Sequence, residues 1–241
     1  MCQPVTDFEI LDSLPAIYMP ELDLIVLSDL HLGLEASMTS KGNYVPTFHL
    51  EEVKEELSKL KELSNADRIL INGDLKNEYS TSYSEKSEIK ELIDFLQTKF
   101  SDIIIIKGNH DLFLEDLLKE KGLRLLDSYK EDGILFVHGH EELEDEEFDT
   151  VVIGHEHPAL SLKDDIGVKE KIPCLLHGQT KLGELFVLPP YSKISNGTGI
   201  NKARKRDLLS PVLKEVDIDK LKAYAISREG GVYDFGKLQN L

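Results

Sequence analysis

Five short apolar runs in this chain each lead into a residue that can hold a metal ion. That pattern limits the fold more than any other feature. The runs are Leu22 to Leu27, Arg68 to Ile71, Ile103 to Ile106, Ile134 to Val137 and Val151 to Ile153. They lead into Ser28-Asp29-Leu30-His31, Asn72-Gly73-Asp74, Gly108-Asn109-His110-Asp111, Val137-His138-Gly139-His140 and Gly154-His155-Glu156-His157. Short β-rich apolar runs read as buried strands. Open α/β sheets place their ligands at the carboxyl ends of such strands. Two carboxylates, one amide oxygen and several imidazoles form a mixed O/N set. Such a set suits two hard-to-borderline divalent ions better than one structural zinc.

Each segment alone is weak. A single Asp after a strand is usually a helix cap, and Gly-Asn or Gly-Asp alone is usually a turn. Five in order, each after a strand, are not explained that way, and six of the eight histidines fall within them. Asp29 and His31 are two residues apart, as are His155 and His157. On an extended segment such pairs point to one side. Glycine precedes Asp74, Asn109 and His155, which suggests sharp strand-to-loop turns. Asp74 has two carboxylate oxygens with which to bridge two ions.

Around these segments, Phe8 to Leu11 and Ala16 to Met19 read as short strands. Leu50 to Leu63 and Ser84 to Phe100 carry helical spacing, and Leu112 to Lys121 reads as a third helix stopped by Gly122. Strand and helix thus alternate in the first half, an α/β layer pattern. The second half reads as strands at 123–128, 133–138, 149–154, 172–177 and 182–188. Ser192 to Asn201 reads as a loop, not a linker. Ligand segments on both sides of the midpoint must converge, so one domain over residues 1–241 is expected.

The net charge of −17 opposes non-specific binding to nucleic acid or anionic membrane. Cys2 and Cys174 imply no disulfide framework, and a reducing cytosol fits. Residues 1–7 lack a basic region and an apolar stretch, so no signal peptide is read, and no apolar run is long enough for a membrane helix. A cytoplasmic protein without membrane contact is expected. Glu141 to Asp149 holds seven acids in nine residues and reads as a solvated segment. Lys202, Arg204, Lys205 and Arg206 form the basic cluster, without interleaved aromatics. His49 and His177 fit no motif and read as surface or core histidines.

Taken in order, the five segments resemble the signature of the calcineurin-like metallophosphoesterases: D-x-H, G-D-x-x-D/N, G-N-H-D/E, H-G and G-H-x-H. Residues 29–157 carry every element, with Asn77 closing the second. The resemblance implies a four-layer αββα sandwich of two mixed sheets with two metal ions at the strand ends. It implies one ion on Asp29, His31, Asp74 and His157, and a second on Asp74, Asn109, His138 and His155. His110 would be the non-ligand imidazole that protonates the leaving oxygen, and Asp111 would orient it. Asn77 would support the site, and His140 would have a lesser role. Mn²⁺ is the expected ion, with Fe, Zn, Ni or Mg left open. Phosphate esters would be hydrolysed by attack of a metal-bridging hydroxide. Asp29 and Asp74 offset only part of the charge of two divalent ions, which reconciles an acidic chain with an anionic substrate.

Pro189-Pro190-Tyr191, followed by Gly197 and Asn201, resembles the tail of an archaeal and bacterial subgroup related to SbcD-type repair nucleases. That points to a nuclease acting on DNA or RNA; the basic cluster reads as a solvated patch, with phosphate contacts by Arg204, Lys205 and Arg206 as the other reading. A small-molecule phosphoesterase for a cyclic nucleotide, nucleotide or phosphomonoester is the alternative. A non-catalytic scaffold of this fold is the remote one, because such a module should have lost ligands. Homo-oligomerisation is left open.

Overall fold

The computed structural model describes residues 6–35, 49–78, 83–143, 147–163, 167, 169–194 and 197–241. Residues 144–146 of the acidic run, 195–196 of the Ser192–Asn201 loop and the first five residues lie outside them.

The first sheet holds β1 (Ala16–Met19), β2 (Leu24–Leu27), β3 (Arg68–Asn72), β4 (Asp102–Ile106) and β5 (Leu125–Leu126), in that spatial order. β1 runs antiparallel to β2, and the other neighbours are parallel. The second sheet holds β6 (Ser128–Glu131), β7 (Ile134–Val137), β8 (Thr150–Ile153), β9 (Pro158–Lys163), β10 (Lys169–Thr180), β11 (Gly183–Val187), β12 (Thr198–Gly199), β13 (Lys222–Ser227) and β14 (Gly231–Lys237). Its main path runs β12-β9-β10-β11-β8-β7-β6, with β13 and β14 branching from β10. It too is mixed: β7, β8 and β11 are parallel, while β6, β10 and β13 pair antiparallel.

The alternation of side chains along the strands builds three cores. Ile25, Leu27, Ile69, Ile71 and Ile105 face the helices α1 (His49–Ser64), α2 (Tyr83–Lys99) and α3 (Glu115–Glu120). Leu24, Val26, Leu70, Ile104 and Ile106 face Ile134, Phe136, Val152 and Phe186 of the second sheet. Leu135, Val151, Ile153, Leu185 and Val187 face outward and are covered by Val212 and Leu213 of α4 (Pro211–Glu215) and by flanking loops. The layers are therefore helix, sheet, sheet and a thin helical cover. Period-two strands buried on both faces must read as continuous apolar runs, which is why they stood out in the sequence.

Two elements differ from expectation. Phe8 to Leu11 forms no strand; only Glu9 pairs with Tyr18, because Asp12 and Ser13 turn the chain at φ 52° and 59°. The third helix starts at Glu115 rather than Leu112, since Phe113 sits at φ 64°. β6, β9, β12, β13 and β14 also lie outside the strands read from the sequence, β12 within the Ser192–Asn201 segment read as a loop. Among the described residues, no helix is long and apolar enough to cross a membrane.

Candidate metal centre

All five ligand-bearing segments meet at one end of the two sheets. Asn72, the last residue of β3, ties the sheets together there. Its side-chain amide donates to the carbonyls of Val137 and Val152, at 3.0 and 3.1 Å. Its own carbonyl accepts from His138 Nδ1 at 2.8 Å. That contact leaves His138 Nε2 as the ring nitrogen that faces the centre. The Pro189-Pro190-Tyr191 segment backs the first loop: Tyr191 and Ser192 N–H groups donate to the Ser28 and Asp29 carbonyls.

Two groups of ligand atoms result. Asp29, His31 and His157 form one, and Asp74, His138 and His155 form the other, each with its ligand atoms within 4.8 Å of one another. Asp29 Oδ1 lies 3.0 Å from His157 Nε2. Asp74 Oδ2 lies 3.3 Å from His138 Nε2 and 3.9 Å from His31 Nε2, so it faces both groups. Asp74 Oδ1 is engaged elsewhere, accepting the His110 N–H at 2.9 Å. Of the two oxygens, Oδ2 is thus the one that lies between the groups.

The residues fit a pair of cations. Asp29 Oδ2 accepts from the His155 N–H at 3.2 Å and lies 2.6 Å from the Ser28 hydroxyl. Asp29 Oδ1 and His138 Nε2 are buried and make no hydrogen bond of acceptable geometry. Buried polar atoms are almost always paired, and two such atoms facing a common space fit bound cations.

The electrostatics agree. Burial alone would raise the Asp29 carboxyl, but the imidazoles of His157, His138 and His31 hold it well below the usual range. Burial opposes protonation of His138, yet Asp74 and Asp29 outweigh it and raise its pKa to about 9. Burial lowers His31 and His155 to about 4. These two are ready as neutral ligands.

The backbone reaches this arrangement through strain. Asp29, His31, Asp74, His155 and His157 have φ of 58°, 49°, 50°, 64° and 50°. Left-handed backbone costs about 1–3 kcal/mol per non-glycine residue and gathers at functional sites. Asp29 and His31 thus share a side because the chain coils, not because it is extended. The glycines also work differently from expectation. Gly73 has φ +89°, but Gly108 and Gly154 are not left-handed; they are required for space. A Cβ at Gly108 would lie 2.1 Å from Asp74 Oδ1, and one at Gly154 1.9 Å from Ser28 Oγ.

His110 lies outside both groups, with Nε2 4.0 Å from Asp74 Oδ2. Its Nδ1 meets the Asn77 carbonyl. The Asp111 oxygens are taken by the Gly108 and Lys76 N–H groups at 2.8 and 3.2 Å, so Asp111 shapes the loop and the orienting contact comes from Asn77. Burial and Asp74 raise Asp111 to about 6. Asn109 stands between Gly108, whose Cα abuts Asp74, and His110. The His140 ring is 5.3 Å from that of His138. Arg204 is exposed and paired with Asp207 at 2.9 Å. His49 and His177 are core histidines, held by the Leu30 carbonyl and by Glu184.

Sequence reasoning missed Ser28, Asn72 and Glu156, although all three lie within the motif segments. Glu156 is fully buried and accepts the Leu209 and Ser210 N–H groups at 2.8 and 2.9 Å. Ser210 in turn donates to the Gly139 carbonyl at 2.7 Å. The chain just after the basic cluster is thereby tied to two ligand loops.

The fold and this site define a metal-dependent phosphoesterase class. The chain belongs to the calcineurin-like phosphoesterase family, whose model matches residues 22–219. Among solved structures it is similar to the nuclease MPE of Pseudomonas putida, at 17% identity and TM-score 0.68, covering 97% of this chain and 99% of that one. Looser likenesses are a predicted phosphoesterase of Streptococcus pneumoniae TIGR4 (18% identity, 87% and 91% of the two chains, TM-score 0.34) and Vacuolar Protein Sorting 29 of Cryptosporidium parvum (14%, 89% and 97%, TM-score 0.39). No curated protein matches the sequence.

Proposed function

We propose that this phosphoesterase is a two-metal phosphodiesterase that cleaves nucleic acid. One observation carries the proposal: Asp74 Oδ2, in one ligand group, lies 3.9 Å from His31 Nε2 of the other, and His110, a member of neither, faces that same oxygen at 4.0 Å. Asp29, His31, Asp74 and His157 would hold one ion, and Asp74, Asn109, His138 and His155 the other, with Mn²⁺ favoured because imidazole suits it. When bound, such a pair supplies an activated water and neutralises phosphoryl charge.

The chain's own residues do the rest. Donation from Nδ1 to the Asn77 carbonyl fixes the His110 ring with Nε2 toward the centre. A second proton, held at Nε2, contacts a phosphoryl oxygen and passes to the leaving alkoxide as the P–O bond breaks. A diester needs that proton, since its leaving alkoxide is strongly basic. Arg204 and its basic neighbours, fastened near the ligand loops through Glu156, would take flanking phosphates. The nuclease named among the fold neighbours supports the choice of substrate class. We place the chain in the cytoplasm, acting as one domain.

A small-molecule phosphoesterase is favoured by one observation. Glu141, beside His140 at 3.6 Å, puts an exposed carboxylate near the centre, where a polyanion would meet repulsion. A Mn²⁺-loaded activity panel separates the two. Cleavage of single-stranded DNA or RNA above a nitrophenyl monoester supports the nuclease. Turnover of a cyclic nucleotide or a monoester with polynucleotides untouched replaces it, and inactivity on diesters and monoesters alike overturns both.

A further inference from the structure

We infer that Glu85 is a positioning residue for His110, acting through the peptide that joins Asn77 to Glu78; the inference rests on the proposed role of His110 as proton donor. Glu85 stands in the first turn of the helix Tyr83–Lys99 and is 1% exposed. Its Oε1 accepts two backbone N–H groups, from Asn77 at 3.1 Å and from Glu78 at 2.9 Å. The Glu78 N–H and the Asn77 carbonyl belong to one peptide unit, and that carbonyl receives His110 Nδ1. A carboxylate, a peptide and an imidazole are thus joined in series.

The peptide is a resonance unit. A carboxylate on its N–H pushes electron density toward its carbonyl oxygen, and hydrogen bonds in a chain strengthen one another. The Asn77 carbonyl becomes a better acceptor for His110 Nδ1–H, which holds the ring in place with Nε2 toward the centre. The arrangement gives His110 a carboxylate partner one peptide away.

The rest of the turn leaves that peptide little freedom. The Lys76 N–H donates to Asp111 Oδ1 at 3.2 Å, and the fully buried Lys76 side chain reaches the Glu78 carbonyl. The Asn77 N–H also meets the Leu32 carbonyl at 3.0 Å. Room for Glu85 is made by Gly33, where a Cβ would lie 3.0 Å from Glu85 Cγ. Gly33 is two residues from His31, so the helix carrying Glu85 braces the first ligand loop as well.

The test uses the full chain loaded with Mn²⁺ and diesters whose leaving groups range from nitrophenolate to a basic alkoxide. Glu85→Ala should retain two ions per chain and lower kcat about 10- to 100-fold for the basic leaving group, with KM little changed. The loss should shrink for nitrophenolate. Glu85→Gln, which keeps an oxygen at the same place, should restore part of the loss. In a His110→Ala background, Glu85→Ala should cost nothing further. A crystal structure of Glu85→Ala should show the Asn77 carbonyl turned from His110 Nδ1. Equal loss for all leaving groups, or loss additive with His110→Ala, overturns the inference. Should Glu85→Ala fail to fold, Glu85→Asp carries the same comparison, and a uniform loss there overturns it equally. If His110→Ala alone shows no leaving-group dependence, the proposed role of His110 fails, which is a separate result.

Discussion

Asp74 Oδ2 and His138 Nε2 face each other at 3.3 Å, both buried, at the end of adjacent sheets. In the metal-free protein this pair, with Asp29, holds a proton on His138 up to about pH 9, although burial opposes it. The unfolded chain releases that proton near 6.5. The stabilisation is therefore full below pH 6.5 and is lost as pH rises through about 9. A divalent ion must displace the same proton. Affinity should rise with pH from 6 to 9, about tenfold per unit for each proton released. His157, against which burial also works but which Asp29 raises, adds to the release, while His31 and His155 at about 4 do not. Calorimetry in buffers of different ionisation enthalpy should count one to two protons per metal pair at neutral pH. A count of zero would contradict the coupling.

Asp74→Ala should abolish binding of both ions. Its Oδ1 is held by the His110 N–H, so Oδ2 alone can be shared. Asp29→Ala should weaken chiefly the ion beside His31 and His157, because Asp29 Oδ1 lies 3.0 Å from His157 Nε2 but 3.9 Å from His138 Nε2. Elemental analysis after Mn²⁺ loading checks both variants. Two ions retained by Asp74→Ala would dissolve the shared site.

Much of this centre was legible because its strands are buried on both faces. Val26 and Leu27 point into different cores, yet both must be apolar, so the run ends abruptly where Ser28 and Asp29 begin. β13 is hard to read from the sequence because its partner β14 is largely exposed, and Lys222 and Tyr224 break the apolar pattern. The left-handed backbone at His31 and His157 leaves no mark in a sequence, since it is imposed by the packed loops around them. Likewise Asp111 looked like the partner of His110 because it is next in sequence. The partner is the Asn77 carbonyl, brought close by a loop pairing 33 positions away.

Gly108 and Gly122 separate two reasons for glycine. Gly122 has φ +75° with nothing within 4 Å of an added Cβ, so Gly122→Ala should cost only conformational strain, about 1–2 kcal/mol. Gly108 is not left-handed, but a Cβ there would lie 2.1 Å from Asp74 Oδ1 and 2.3 Å from its backbone nitrogen. Gly108→Ala should destabilise more than Gly122→Ala and should lose metal, which Gly122→Ala keeps. Thermal melts with and without Mn²⁺ compare them. Equal melts and equal metal content would show that the loop yields without moving Asp74.

The last prediction concerns the basic cluster. Arg204 and Arg206 are about 70% exposed and share the single carboxylate of Asp207. Exposed pairs of this kind are worth little, so both guanidinium groups can turn to phosphate. The segment that carries them continues into Leu209 and Ser210, which Glu156 holds against the ligand loop. Replacing Arg204, Lys205 and Arg206 by Ala should therefore raise KM for single-stranded DNA while leaving bis-nitrophenyl phosphate unchanged. Each phosphate contact on a single strand contributes about 0.7 to the slope of log affinity against log salt. Loss of three contacts should flatten that slope by about 2. An unchanged slope would place the polynucleotide elsewhere, and a parallel loss on the small diester would mean that the replacements had disturbed the metal centre through Glu156.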